Sequence, residues 1–241
     1  MSSIAILLAG GSGNRMRGVV RDKILEPLNG QPVIAWSARA FRESGVVGGF
    51  VIVCRDNAQQ AAIAAVLRPW LDDSLSVRWA RGGEERQDSV LNGIEACPSD
   101  TSLVFIHDAA RPLLQTASLV ELAVLAARDG AAVLAHRVKD TIKQVPPGTR
   151  PGDAVVQADL NRATLWAMET PQVFQHRLIL DAYRKVALDR VHITDDVAAA
   201  GHAGHKVTLV ENLFPNPKIT EPHDLALVEF LLRKQAPADA G

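Results

Sequence analysis

Leu7-Leu8-Ala9-Gly10-Gly11-Ser12-Gly13-Asn14-Arg15-Met16 is the stretch from which the fold is read. An apolar run, Ile4 to Leu8, stops at three glycines within four positions, and Arg15 and then Lys23 follow. A strand that ends in a bare loop can bring backbone N–H groups close to phosphate oxygens, because glycine carries no Cβ. Arg15 and Lys23 would balance the charge. The spacing is not a P-loop, which needs Gly-x-x-x-x-Gly-Lys followed by Ser or Thr. Nor is it a dinucleotide fingerprint, since Met16 stands where the third glycine of Gly-x-Gly-x-x-Gly would be. The loop therefore reads as a triphosphate site, with an ordinary strand–turn–helix connection as the alternative.

The surrounding chain sets the context. Its 241 residues suffice for a fully packed α/β core. A formal net charge of −1 argues against a general nucleic-acid or membrane-surface binder, so anion binding must be made locally by placed Arg and Lys. Two cysteines, Cys54 and Cys97, make neither a disulfide framework nor a structural zinc site, and both read as buried thiols. Neither a signal-peptide pattern nor an apolar run of membrane-spanning length is present, so the expectation is a cytoplasmic protein.

Short apolar runs at Ile4–Leu8, Gly49–Cys54, Leu103–Ile106, Ala131–Ala135 and Val207–Val210 read as buried strands. Between them, helical spacing marks Pro32–Ser44, Ala58–Leu71, Gln87–Ala96, Thr116–Arg128 and Arg177–Ala187, and a last helix runs from about Pro222 to Lys234. Alternation of this kind predicts an α/β fold: one Rossmann-like domain with a mostly parallel twisted sheet and helices on both faces. Gly10–Gly13 then lies at a strand's carboxyl end, where open α/β sheets bind ligands. Lys139–Val145 and Ala154–Leu160 break the alternation. They flank the turn-rich Pro146–Gly152 and read as a protruding two-stranded β-arm, at about 139–163, with few large apolar residues. An arm of that kind is marginal alone and needs a partner, most simply a second copy of the chain.

Two further constellations carry chemistry. Gly82-Gly83-Glu84-Glu85-Arg86-Gln87-Asp88-Ser89-Val90 would present backbone donors and the Ser89 hydroxyl to a base or ribose; the bland reading is a turn followed by a helix start. His107-Asp108-Ala109-Ala110-Arg111-Pro112 follows a strand directly. Asp108 could hold Mg²⁺ with help from a triphosphate, or merely cap the next turn. His107 reads as a structural histidine.

Together with Thr170-Pro171-Gln172 and Lys218-Ile219-Thr220, these motifs occur in an order that resembles the 2-C-methyl-D-erythritol 4-phosphate cytidylyltransferase family of isoprenoid precursor synthesis. The likeness runs from about Ile4 to Leu232. It implies that Ala9, Gly10, Gly11 and Gly13 form the CTP loop, and that Arg15 and Lys23 stabilise the triphosphate in the transition state. It places Gly82, Arg86, Ser89 and Ala109 with the nucleotide and Asp108 near Mg²⁺. Arg111, Thr141 and Thr194 fall in the sugar-alcohol phosphate pocket, and Arg162 and Lys218 position the incoming phosphate. Thr141 and Arg162 flank the arm, which in that family crosses to the other subunit, so the resemblance implies a site shared across a homodimer.

The chain departs from the family in having Asp22-Lys23-Ile24 for the usual Pro-Lys-Gln, and Gly10 where many members have Ala. One extra residue separates Arg15 from Lys23. A ribitol 5-phosphate cytidylyltransferase is the nearest rival reading, and a non-catalytic nucleotide-binding protein is the rival from another class. A shared site has a direct test: protein that sediments as a monomer loses turnover, whereas a fully active monomer at micromolar concentration contradicts the sharing.

Overall fold

The computed structural model describes residues 2–11, 22–71, 75–154 and 158–235. Strands β1 (Ser2–Leu8), β4 (Gly49–Cys54), β5 (Ser76–Arg81), β6 (Thr101–Asp108), β7 (Ala131–Arg137), β10 (Trp166–Gln175) and β11 (Thr208–Glu211) form one sheet in the order β11-β7-β10-β6-β1-β4-β5. β1 pairs in parallel with both β4 and β6, and only β10 runs antiparallel to its neighbours β6 and β7. Helices α1 (Val33–Ser44), α2 (Asn57–Leu67), α3 (Arg86–Glu95), α4 (Thr116–Asp129), α5 (His176–Asp189), α6 (Asp196–His202) and α7 (Pro222–Gln235) complete the fold, and β2 (Pro27–Leu28) and β3 (Gln31–Pro32) make a small separate pair.

The continuous apolar runs are explained by burial on both faces. In β1, Ala5 and Leu7 join a core with Phe41 of α1 and Leu119 of α4, while Ile4 and Ile6 join an opposite core with Ile94 of α3 and Tyr183 of α5. Successive strand residues point to opposite faces, so a strand covered twice needs apolar side chains throughout. Phe41 meets Phe50 and Phe105 edge-on, with ring centroids 6.3 and 5.7 Å apart. Gly45 ends α1 with φ 66°, a left-handed conformation that glycine adopts without a Cβ penalty. On the other face α3 lies so close to the sheet that a Cβ at position 93 would come within 2.7 Å of Ile6 Cγ2.

Three elements were not legible in the apolar pattern. β5 is an edge strand of mixed polarity, SVRWAR, and has no continuous apolar run. β10 carries Glu169, Thr170, Pro171 and Gln172 at its centre, where its pairing with β7 shifts register and the Thr170–Pro171 peptide is cis. α6 spans only seven residues and is capped by Asp195, whose side chain accepts from Ala198 N.

The arm needs correction in extent. Among the described residues of the arm, β8 (Lys143–Gln144) and β9 (Ala158–Asp159) pair, as Lys143 opposite Asp159 and Gln144 opposite Ala158. This falls short of the two seven-residue strands expected, and residues 155–157 lie outside the described set. Ile142, Val145 and Leu160 are exposed beside the ladder, and Lys143 and Asp159 form an ion pair across it.

Candidate active site

The carboxyl ends of β1, β4 and β6 are cross-linked through the backbone. Ala9 N donates to Val53 O (2.9 Å), Gly82 N to Cys54 O (2.9 Å) and Ala109 N to Leu8 O (3.2 Å). Above this platform opens a cleft of about 600 Å³, lined by Leu8–Gly11, Lys23, Ile24, Gly83–Arg86, Ser89, Asp108, Lys218 and Thr220 among others. Motifs spread along the chain thus converge on one place, at the edge where parallel sheets bind ligands.

Each wall is fixed by identifiable bonds. Lys23 Nζ donates to the carbonyl of Ile219 (2.8 Å), and Ile219 N donates to Ala110 O (2.9 Å). Lys218 Nζ donates to Asp108 Oδ2 at 2.7 Å. Arg86 Nε and Arg111 Nε lie 3.7 and 3.9 Å from the same carboxylate. Burial opposes ionisation of Asp108, yet Lys218, Arg86 and Arg111 outweigh it and hold the carboxyl well below the usual carboxylate range. Next to it, burial pushes the His107 imidazole down to about 3. Its ring nitrogens lie near Ser37 Oγ (3.3 Å), Arg111 O (3.2 Å) and Thr170 Oγ1 (3.1 Å), so His107 is a buried neutral strut, as expected.

At the second glycine pair, Ser89 Oγ accepts from Gly83 N (3.0 Å) and donates to Glu85 O (3.1 Å). A Cβ on Gly83 would collide with Asp88. The structural reading of this turn is thus met: Ser89 shapes the loop that walls the cleft. Gly10 has no such requirement. A Cβ there would stand 3.4 Å from Arg55 N and Cys54 C, at contact distance, so the backbone accommodates alanine at this position.

Arg86 reaches into the cleft while both its terminal nitrogens bond Asp196, at 2.8 and 2.9 Å. Tyr183 Oη donates to Asp196 Oδ1 at 2.5 Å. Neither Asp196 nor Tyr183 stood out in the sequence. Asp195 caps α6, while Asp196 turns inward and is fully buried. Behind Arg111, buried Glu169 accepts from the side-chain amides of Asn212 (2.7 Å) and Asn216 (3.1 Å), and Arg111 Nη1 donates to Asn216 O (2.6 Å).

Of the residues singled out in the sequence, Ala9, Gly10, Gly11, Lys23, Arg86, Ser89, Asp108 and Lys218 line the cleft. Gly82, Ala109 and Arg111 border it through the bonds just given. Gly13 and Arg15 lie outside the described residues. Thr141, Arg162 and Thr194 are exposed, and among the described residues they do not line the cleft; Arg162 Nη1 donates to Lys139 O (2.7 Å) within the arm. Among the described residues no group of three His, Cys, Asp or Glu side chains could hold an ion. Asp108 alone fits Mg²⁺ only in the manner usual for that ion, as one carboxylate supplemented by phosphates and waters.

Solved structures share this architecture. A 4-diphosphocytidyl-2C-methyl-D-erythritol synthase from Anaerococcus prevotii superposes with a TM-score of 0.81 at 24% identity, covering 96% of each chain. A 2-C-methyl-D-erythritol 4-phosphate cytidylyltransferase from Thermus thermophilus gives 0.73 at 26% identity, covering 95% of this chain and 98% of that one. Fold and cleft are those of a nucleotidyltransferase.

The profile of the 2-C-methyl-D-erythritol 4-phosphate cytidylyltransferase family matches residues 3–234. Proteins of that name from Desulforamulus reducens and, in a chloroplastic form, from Oryza sativa are 36% and 35% identical; this chain spans 96% and 74% of their lengths, with 96% and 95% of its own residues. The chain belongs to this family of enzymes.

The Arg86–Asp196–Tyr183 cluster makes a stability prediction. Breaking a fully buried ion pair costs about 3–5 kcal/mol. Arg86 keeps 30% side-chain exposure, so Asp196→Ala is expected to lower unfolding free energy by about 2–3 kcal/mol, read by urea denaturation. An unchanged midpoint contradicts the assignment.

Proposed function

We propose that the cleft transfers a cytidylyl group from CTP to 2-C-methyl-D-erythritol 4-phosphate, giving 4-diphosphocytidyl-2-C-methyl-D-erythritol and pyrophosphate. The observation that supports it best is the meeting of two cations. Lys23 is bonded to the carbonyl of Ile219, and Lys218, the preceding residue, projects from the same segment toward Asp108. A protein of net charge −1 thus brings two lysines together beside a glycine-rich turn, where the joining of two anions needs them.

In this reading the triphosphate lies along the backbone of Ala9–Gly11, Gly13 and Arg15 also serve it, and the nucleoside lies against Gly82, Arg86, Ser89 and Ala109. The acceptor phosphate approaches from the side of Lys218 and Arg111. Thr141 and Arg162 belong to the arm, so their part in the acceptor pocket is through a second copy of the chain, with Thr194 completing it. Asp108 is the residue that would hold Mg²⁺, and the ion would supply further charge neutralisation. The proposal includes one nucleotidyltransferase domain and a cytoplasmic setting; no helix among the described residues is long and apolar enough to cross a membrane.

The chemistry asks little of a base. A phosphate monoester has its second pKa at about 6 and is already nucleophilic at pH 7. Its oxygen forms a bond to the α-phosphorus of CTP as the α–β bridging bond breaks, and pyrophosphate leaves with the electron pair. What the residues supply is alignment of two anions and stabilisation of charge moving onto the leaving group.

Pyrophosphate release with CTP and methylerythritol phosphate, but not with ribitol 5-phosphate, is the expected pattern; the reverse preference contradicts the acceptor. Lys23→Ala is expected to lower turnover by ~10²–10³, the scale for loss of a preorganised electrostatic donor. Near-normal turnover with an intact circular dichroism spectrum rules out its role.

A further inference from the structure

Immediately before Lys23 stands Asp22, and its environment is more elaborate than a surface carboxylate requires. Its side chain is only 8% exposed and lies 2.9 Å from Arg55 Nη2. The same Oδ2 accepts from Gln59 Nε2 at 2.7 Å. Gln59, on the first turns of α2, is 2% exposed, and its Nε2 also donates to the carbonyl of Ala9 at 3.0 Å. The remaining polar atom of its side chain, Oε1, accepts from Arg55 N at 2.8 Å. Asp56 fixes the base of this arrangement by accepting from Gln59 N at 2.7 Å. One buried amide therefore ties the end of β1 to the residue preceding Lys23, with every polar atom of its side chain engaged.

We infer that Gln59, Asp22 and Arg55 form a positioning clamp that sets the Ala9–Gly11 backbone and Lys23 at a fixed separation for the triphosphate. Lys23 is confined from both sides. Asp22 precedes it in the clamp, and Ile24 follows it in the core, where Ile24 O accepts from Ile34 N at 2.9 Å. Its ammonium is then brought to bear on the cleft rather than swept through solvent. The clamp touches no substrate, so its members are positioning residues. Buried polar groups bonded at each atom are costly to rearrange, which gives the arrangement one geometry. This inference rests on the reading of Ala9–Gly11 and Lys23 as the CTP site.

The test is steady-state kinetics of the full chain with CTP and acceptor varied separately. Gln59→Met keeps the volume but removes the donor, and Asp22→Ala removes the shared acceptor. Each is expected to lower kcat/KM for CTP by about 10–100-fold, the scale for loss of a bond that aligns reacting groups, and to leave the acceptor KM within about two-fold. Asp22→Asn, which keeps an oxygen for Gln59, is expected to recover most of the loss. The double variant should be no worse than the poorer single one, since both break the same link. Equal rises in both KM values, or losses that multiply, overturn the clamp. Should Gln59→Met fail to fold, Arg55→Met makes the same comparison at a residue 35% exposed. Lys23→Ala run alongside separates the two claims: loss there with none in the clamp variants overturns the clamp alone, and no loss there overturns the site reading.

Discussion

The salt bridge between Asp108 and Lys218 is the constraint on which the cleft depends. It joins residues 110 positions apart and pulls the segment after β11 against the end of β6. With that segment in place, Ile219 is positioned to receive Lys23, and the two lysines become neighbours. A single carboxylate surrounded by Lys218, Arg86 and Arg111 stays ionised at any physiological pH. It offsets part of the cationic charge around the cleft, whose other lining carboxylates are Glu84 and Glu85. The ammonium groups of Lys23 and Lys218 are what an incoming triphosphate and phosphate monoester would meet.

Around this centre the protein spends its buried polar groups on geometry. Asp196 and Tyr183 hold Arg86, Glu169 and two asparagines hold the segment bonded by Arg111, and Gln59 holds Ala9 and Asp22. Arg86, Arg111 and the Ala9 end of β1 are each backed by a residue that is itself buried. Such preorganisation avoids reorganisation at the moment of reaction, when charge moves toward pyrophosphate. The sheet supplies the rigidity, because β1, β4 and β6 are covered on both faces and their carboxyl ends are cross-bonded.

Much of this was readable from residues near one another in sequence. The run Ile4–Leu8 ending in glycines located the first strand and the ligand edge, and Gly49–Cys54 appears as a strand with those bounds. The helices followed from period and agree to within a few residues. Where reading failed, the signal was non-local or polar. β5 is an edge strand without an apolar run, and β10 interrupts its own pattern with four polar or proline positions, of which Thr170 bonds His107, Asp108 and Asn216. Asp196 is indistinguishable from a cap until α5 and α3 bring Tyr183 and Arg86 to it. Gln59 looks like any exposed helical glutamine until Ala9 and Asp22, 50 and 37 positions away, fold against it. Among the described residues the arm pairs over two positions in each strand, with Ile142, Val145 and Leu160 exposed beside them.

That this cleft joins two anions through the α-phosphorus of CTP is the central claim, and oxygen labelling examines it most directly. Methylerythritol phosphate carrying ¹⁸O in its non-bridging phosphate oxygens would be turned over with unlabelled CTP, and the products resolved by mass spectrometry. The account predicts unlabelled pyrophosphate and a diphosphocytidyl product whose bridging oxygen carries the label. Release of CDP with a diphosphorylated acceptor, or a product with an unlabelled bridge, would contradict it.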